Sequence, residues 1–248
     1  MLPAQAIDPE VHRLIEGGPQ ERRRFMDWGV FHVEPNFVEH WKRYQRALRQ
    51  RNAALRTGQS VAAVRAWDPE LLDAGELVAG YRARYVDTLR PHVATVAERL
   101  LGAPLEIGLH QGWASDRGLG ESLEAAWPRD QERGLTHTGP HRADLSVRFA
   151  GAPARDRISR GQQKLAASAL LLGQLRCDAE LGSSVAALLV DDPAAELDAG
   201  NLERLLGEVV ELPAQLFVTA LDPGNPALDG LPEGHRFHVE HGAVTRLI

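Results

Sequence analysis

Apolar side chains return at helical spacing between Asn36 and Arg56: Phe37, Trp41, Tyr44 and Leu48 are four, three and four positions apart, with arginines and polar residues between them. The spacing predicts a helix with one apolar and one strongly basic face. A second helical tract is expected from about Asp68 to Leu101, with Asp68 as cap, Pro69 in the first turn and Pro91 kinking or dividing it. The stretch ESLEAAWPRDQERG, Glu121–Gly134, would complete an antiparallel helical arm. From about Leu135 the texture changes. Short strands are expected within His137–Gly151, then a helix from near Ser159, a strand at Val185–Val190, a helix from about Ala199 to Leu212, a strand at Gln215–Ala220 and a terminal pair at Arg236–Gly242 and Ala243–Ile248. Strands alternating with helices, several of them continuously apolar, imply an α/β architecture with a largely parallel sheet covered on both faces.

Composition narrows this reading. With 248 residues, 44% hydrophobic and 25% charged, the chain can build one or two globular domains. No stretch approaches a membrane span and the first residues lack a signal-peptide pattern, so a soluble, cytoplasmic protein is expected. The single cysteine, Cys177, excludes an internal disulfide or a cysteine zinc cluster and reads as helix packing. Net charge is −6, so any nucleic-acid contact must use local patches. Of 28 basic residues only Lys42 and Lys164 are lysine. Arg43, Arg46, Arg49 and Arg51 are the candidates for DNA phosphate contact on the basic helix face, a solvated face being the alternative. Arg22–Arg24 follow a Gly-Gly-Pro turn and read either as a solvated face or as binders of phosphate or carboxylate across a domain contact.

Candidate chemistry sits at two places. Six apolar residues, Val185–Val190, run into Asp191 and Asp192, and ligands of open α/β sheets gather at the carboxyl ends of strands. Asp191 is placed to hold Mg²⁺, which takes one or two carboxylates plus phosphate oxygens, and Asp192 to orient or deprotonate a water. A strand end followed by an Asp-Pro turn is the plain alternative. Upstream, SRGQQKLAASALLLGQL starts a helix with Ser159 as N-cap; Gly161 allows close backbone approach, and Arg160 and Lys164 add charge to an anion-facing helix start.

The order of these pieces resembles the C-terminal lobe of an ABC-type ATPase head, and the motifs GGPQERRRFMDW (Gly18, Pro19, Arg22, Arg23, Phe25, Asp27), QRNAAL (Gln50–Leu55) and TGPHRADL (Thr138–Leu145) narrow the resemblance to the RecF family of DNA replication and repair proteins, relatives of SMC heads. The resemblance implies that Ser159, Arg160, Gly161, Gln162 and Lys164 form the signature motif, reaching the γ-phosphate of ATP held by the other subunit of a homodimer. It implies that Asp191 is the Walker B aspartate and Asp192 the water-polarising residue, shorter than the commoner glutamate. Glu196–Asp198 would be the D-loop, and Thr219 stands where many ABC proteins carry a switch histidine. DNA at single-strand gaps or junctions, ATP with Mg²⁺, the partner proteins RecR and RecO, and the SOS response all enter through the resemblance. TGPHRADL suggests no chemistry of its own; support of the signature helix or ligand contact are both open.

A phosphate-cradling Gly-x-x-x-x-Gly-Lys-[Ser/Thr] loop is absent, because neither lysine is preceded by glycine. The resemblance therefore leads to the expectation of an N-terminally incomplete chain that binds ATP poorly alone: 1–35 a remnant of the head lobe, 36–134 the helical arm, 135–248 the C-terminal head. A non-catalytic interaction module is one alternative. Another is the head of a different ABC- or SMC-like ATPase, though an arm without sustained heptads argues against a long coiled coil.

Overall fold

The computed structural model describes residues 3–182, 186–195, 197–222 and 226–247. Its elements in chain order begin with β1 (Ala4–Ile7), α1 (Arg13–Glu16), α2 (Pro19–Val33), α3 (Phe37–Arg56), α4 (Val61–Arg65) and α5 (Asp68–Leu101). Then come β2 (Leu105–His110), α6 (Leu119–Ala125), α7 (Trp127–Arg133), β3 (Asp144–Phe149), β4 (Ala152–Pro153), α8 (Ala154–Arg157) and α9 (Arg160–Glu180). The chain continues through β5 (Ala186–Val190), α10 (Ala199–Val210), β6 (Ala214–Val218), β7 (Arg236–Glu240) and β8 (Ala243–Leu247). Val185, the expected first residue of the β5 strand, lies outside the described residues.

Three strands form a parallel sheet in the order β1-β5-β6, with Ile7, Val190 and Val218 in register at their carboxyl ends. Leu188 and Val190 are buried in the same core cluster as Leu170 and Leu172 of α9. Their neighbours on the opposite sheet face are not covered: Leu189 is 45% and Phe217 50% exposed, and the two are paired across β5 and β6. The expectation of helices on both faces is thus met on one face among the described residues. The terminal pair forms the antiparallel β7–β8 hairpin as its alternating pattern predicts.

The expected division at Pro91 does not occur. Helix α5 runs unbroken for 34 residues with Pro91 inside it. Leu89, Val93, Val96 and Ala97 on both sides of the proline are buried in one core, and that packing outweighs the lost backbone hydrogen bond. Asp68 is not the cap either; Trp67 takes that position, and the Asp68 carboxylate accepts from Arg51 Nε at 2.8 Å. Close helix contact requires glycine at two points. A Cβ on Gly29 of α2 would lie 2.0 Å from the Tyr85 hydroxyl, and one on Gly173 of α9 would lie 2.9 Å from the Val93 backbone. A strand absent from the expected elements, β2, whose Leu105, Ile107 and Leu109 alternate with Glu106, Gly108 and His110, pairs antiparallel with β3 from Leu105↔Phe149 to His110↔Asp144, joining residues on either side of the expected 134/135 boundary.

Two desolvated titratable groups, the half-buried His141 and the buried Asp178, lie where these helices meet. His141 Nε2 is 2.9 Å from Thr136 O and must donate to it, so Nδ1 accepts from the Tyr44 hydroxyl at 2.6 Å. Burial holds this neutral ring down to about 4 from the ordinary 6.5. The unfolded ring takes its proton first, so this contribution to stability is complete above pH 6.5 and is lost as pH falls towards 4. Asp178 of α9 behaves in the opposite sense. Burial pushes its carboxyl from 3.8 up to about 7, partly opposed by the Tyr85 hydroxyl that donates to Oδ1 at 2.9 Å. Its contribution is complete below pH 3.8 and is lost as pH rises through 7. Asp178→Asn mimics the protonated acid; urea denaturation is expected to show it more stable than wild type by about 2 kcal/mol at alkaline pH and indistinguishable near pH 4.

Candidate functional site

Parallel strands place all their carboxyl ends on one edge, and the ladder of this sheet continues one residue past each strand. Asp191 N donates to Ile7 O at 2.9 Å and Thr219 N donates to Val190 O at 3.0 Å. This sets Asp191, Asp192 and Thr219 side by side. The Thr219 hydroxyl donates to Asp191 Oδ1 at 2.5 Å and accepts from Asp192 N at 3.0 Å. Asp192 adopts a left-handed backbone with φ of 39°, a region that aspartate enters more readily than most residues. The strand therefore turns sharply at the second carboxylate, and one hydroxyl ties the turn together. Sequence reasoning gave Thr219 only a weakened switch role; its double contact depends on inter-strand register and has no local signal.

The second expected group forms the start of α9. Ser159 Oγ accepts from Gln162 N at 3.3 Å, and Gln162 Oε1 accepts from Ser159 N at 3.0 Å, a complete capping box. A Cβ at Gly161 would meet nothing within 4 Å, so no packing inside the chain demands glycine there; the space before the helix stays open. Arg160 is exposed, whereas Lys164 is buried, and its ammonium is shifted below the ordinary lysine range by desolvation and then by Arg160, against the opposing pull of Glu10 and Asp8. Asp8 follows β1, so the segment after that strand brings negative charge towards Lys164.

Of the expected D-loop, Glu196 lies outside the described residues. Asp198 caps α10: its carboxylate accepts from Asn201 N at 2.9 Å and from Asn201 Nδ2 at 2.5 Å, and these bonds hold its pKa below the ordinary carboxylate value.

The arm arginines divide. Arg51 is a correction: it is fully buried, with Nε on Asp68 and Nη1 on Asp130 and Thr136 Oγ1, each at 2.8 Å, so it cannot touch DNA phosphate in this fold. Arg43 is committed to Glu70 and Asp73, whose hydrogen bonds raise its pKa. Arg46 and Arg49 are exposed and, among the described residues, make no ion pair. Of the Arg22–Arg24 cluster, Arg22 binds the Asp144 carboxylate with two nitrogens at 2.8 and 3.0 Å, Arg23 donates to Ala143 O, and Arg24 pairs with Glu21 in solvent. TGPHRADL is a structural clamp: Pro140 O accepts from Arg82, His141 from Tyr44, Ala143 O from Arg23 and Asp144 from Arg22. It supports α2, α3 and α5.

No set of three or more histidine, cysteine or acidic side chains among the described residues could hold a metal ion alone. Asp191 nevertheless fits Mg²⁺ bound together with phosphate. It is exposed, its Oδ1 is engaged by Thr219, and Oδ2 is available.

No family model matches the chain. It is 42% identical over 254 residues to DNA replication and repair protein RecF of Azotobacter vinelandii, an alignment that covers 99% of this chain and 68% of that protein. It is 43% identical over 256 residues to the RecF of Pseudomonas aeruginosa strain UCBPP-PA14, again covering 99% of the chain and 68% of the relative. Among solved structures, recombination mediator protein RecF-ATPrS in the RecFOR pathway superposes with a TM-score of 0.85 at 22% identity, covering all of this chain and 68% of that one. An Smc head bound to the C-winged helix domain of ScpA gives a TM-score of 0.53 at 14% identity over 96% of this chain and 53% of that one. The last two are likenesses of fold.

The capping box makes a local prediction. Ser159→Ala is expected to lower stability by about 1 kcal/mol in urea denaturation, while Ser159→Asp keeps most of it; equal loss in both would show that the hydroxyl does not act as a cap.

Proposed function

Because the chain belongs to the RecF family of DNA replication and repair proteins, we propose that its sheet edge and the start of α9 are two contributions to an ATP-driven clasp between protomers on DNA. The observation that carries this reading is the hydrogen-bonded group of Asp191, Asp192 and Thr219 at the carboxyl edge of a parallel sheet. Asp191 would hold Mg²⁺, which when bound would neutralise phosphate charge. The Thr219 hydroxyl fixes the Asp191 carboxylate and the turn of Asp192 at once. Asp192 then accepts a proton from, or orients, the attacking water.

Across the clasp, the capped and open start of α9 would meet the γ-phosphate of ATP held by the other protomer. Backbone N–H groups, Arg160 and Lys164 supply positive charge there, and Gly161 leaves room for close approach. Asp198 would contribute to the joint between protomers. Nucleotide-gated closure would place the chain on single-strand gaps or junctions, with Arg46 and Arg49 as phosphate contacts and with RecR and RecO as partners in the cytoplasm during the SOS response. The division into a head remnant at 1–35, an arm at 36–134 and a C-terminal head at 135–248 belongs to the same proposal.

Three measurements test it. The chain, which has no Gly-Lys-[Ser/Thr] loop, is expected not to bind ATP at micromolar concentration by itself; calorimetric binding in that range would overturn the trans reading. In an ATP-hydrolysing protein that contains this chain, Asp192→Asn is expected to cut turnover by about 10²-fold or more while nucleotide-driven dimerisation persists. Unchanged turnover sinks the assigned role. Replacing Arg46 and Arg49 by glutamine should weaken DNA binding for all sequences and reduce the salt slope by about one for each arginine; an unaltered slope moves the DNA contact elsewhere.

A further inference from the structure

His12 precedes α1 and is only 3% exposed. Its Nδ1 lies 3.0 Å from Pro9 O. A carbonyl oxygen can only accept, so Nδ1 carries the proton of the neutral ring and Nε2 presents a lone pair. That lone pair faces two groups of opposite charge, Arg160 Nη2 at 3.5 Å and Glu16 Oε1 at 3.2 Å. Both cannot be satisfied together. A neutral Nε2 accepts from the guanidinium and repels the carboxylate; a protonated Nε2 donates to the carboxylate and repels the guanidinium. The ring is held by burial and by Pro9, whereas the Glu16 side chain is 49% exposed and Arg160 lies on the surface at the first position of α9. The ring is therefore the fixed member of the contact, and the exposed side chains of Arg160 and Glu16 are the ones that can shift.

We propose that His12 is a positioning residue for Arg160. In its neutral form it draws the guanidinium back against α1; once protonated it turns to Glu16 and releases the guanidinium towards the anion-facing start of α9. The inference rests on the reading of Ser159–Lys164 as a phosphate-contacting segment and adds a regulator to it. Other charges around the ring come from each element packed on α1 and from the segment before it. Asp8 and Glu10 precede the ring, Arg13 follows it, and α9 adds Lys164 beside Arg160. Helix α2 sends Arg22 to Ile15 O and Gly17 O, and α8 carries Arg155, Asp156 and Arg157. Anion binding at α9 should consequently strengthen as pH falls through the titration of His12.

The test is NMR of this chain along a series from acid to alkaline pH, with inorganic triphosphate as probe. Wild type, His12→Asn and Arg160→Gln are compared, asparagine keeping a donor for Pro9 O. The Arg160 Nε–H resonance is expected to follow the His12 titration in wild type and to be flat in His12→Asn. Triphosphate affinity of wild type should match that of His12→Asn, in which no ring draws the guanidinium back, at the acid end and fall about threefold below it, the size of a partly exposed charge contact, at the alkaline end. That alkaline deficit should vanish when both chains also carry Arg160→Gln. An Arg160 resonance indifferent to His12 overturns the proposal, and so does a wild-type affinity that exceeds that of His12→Asn at the acid end, since His12 would then act by its own charge. If triphosphate leaves the Ser159–Lys164 amides unmoved in every variant, the phosphate reading of α9 falls, and the Arg160 resonance alone decides the role of His12.

Discussion

A guanidinium enters a protein interior only when anions and carbonyls accompany it, and among the described residues this fold buries three. Arg22 brings in Asp144, Ile15 O and Gly17 O; Arg51 brings in Asp68, Asp130 and Thr136; Arg82 brings in both oxygens of Asp27 and Pro140 O. Each set is drawn from segments far apart in sequence, so each arginine fixes a tertiary arrangement as well as a charge balance. Loss of one partner strands the other charge, at a cost of about 3–5 kcal/mol, whereas the intact pair adds far less net stability than its geometry suggests. Specific placement is the gain. A planar fork with five donors suits this task better than an ammonium, which is one physical sense of a chain with 28 basic residues and two lysines.

The frame held by these arginines positions the two helices whose first turns belong to the candidate site. Helix α9 lies against α5 closely enough that Gly173 meets the Val93 backbone, and Gln174 carries the contact further: its amide donates to Phe25 O and Tyr85 Oη while its oxygen accepts from Gln5 of β1. At the other end of α10 from its Asp198 cap, the buried Glu208 accepts from Arg99 of α5 at 3.0 Å and Arg176 of α9 at 2.8 Å. A single carboxylate thus joins α5, α9 and α10. Ser159 and Asp198 sit at the free starts of helices anchored elsewhere, so their local geometry can respond to a ligand without disturbing the core.

What was legible in the sequence was local. The Ser159 cap needs only four consecutive residues, and the apolar run into Asp191 needs only one strand; both are visible without knowing the fold. Strand β2 carried a signal of its own, Leu105, Ile107 and Leu109 alternating with Glu106, Gly108 and His110, but the run is short and its partner β3 lies some forty positions on. Arg51 was misread although its place was legible: it stands seven positions after Tyr44 and three after Leu48, on the apolar stripe of α3, and what the sequence hides is the set of partners, Asp68, Asp130 and Thr136, that lets an arginine lie there. The contacts of Thr219 and of His12 arise from strand register and chain crossing, for which a single sequence carries no signal. The RecF-like motif residues Arg22, Asp27 and Asp144 were recognisable as a pattern, yet their purpose as mutual clamps appears only in three dimensions.

The candidate site contrasts with that clamped interior. Asp191, Asp198, Ser159 and Arg160 are exposed, and Asp192 is half-buried, whereas the arginines of the frame are desolvated and paired with carboxylates. A site completed by a ligand or a second protomer must keep its charges hydrated until then, because an uncompensated charge held in a dry pocket would destabilise the open state by several kcal/mol. Leaving the carboxylates at a wet sheet edge avoids that penalty, and the necessary precision comes from local hydrogen bonds: the Thr219 hydroxyl to the Asp191 carboxylate, the Asn201 backbone N–H to Asp198, the capping box at Ser159. Lys164 departs from this arrangement, since burial there already disfavours its charge. An arriving phosphate would favour that charge, so part of the desolvation cost borne by the open state would be offset when an anion binds.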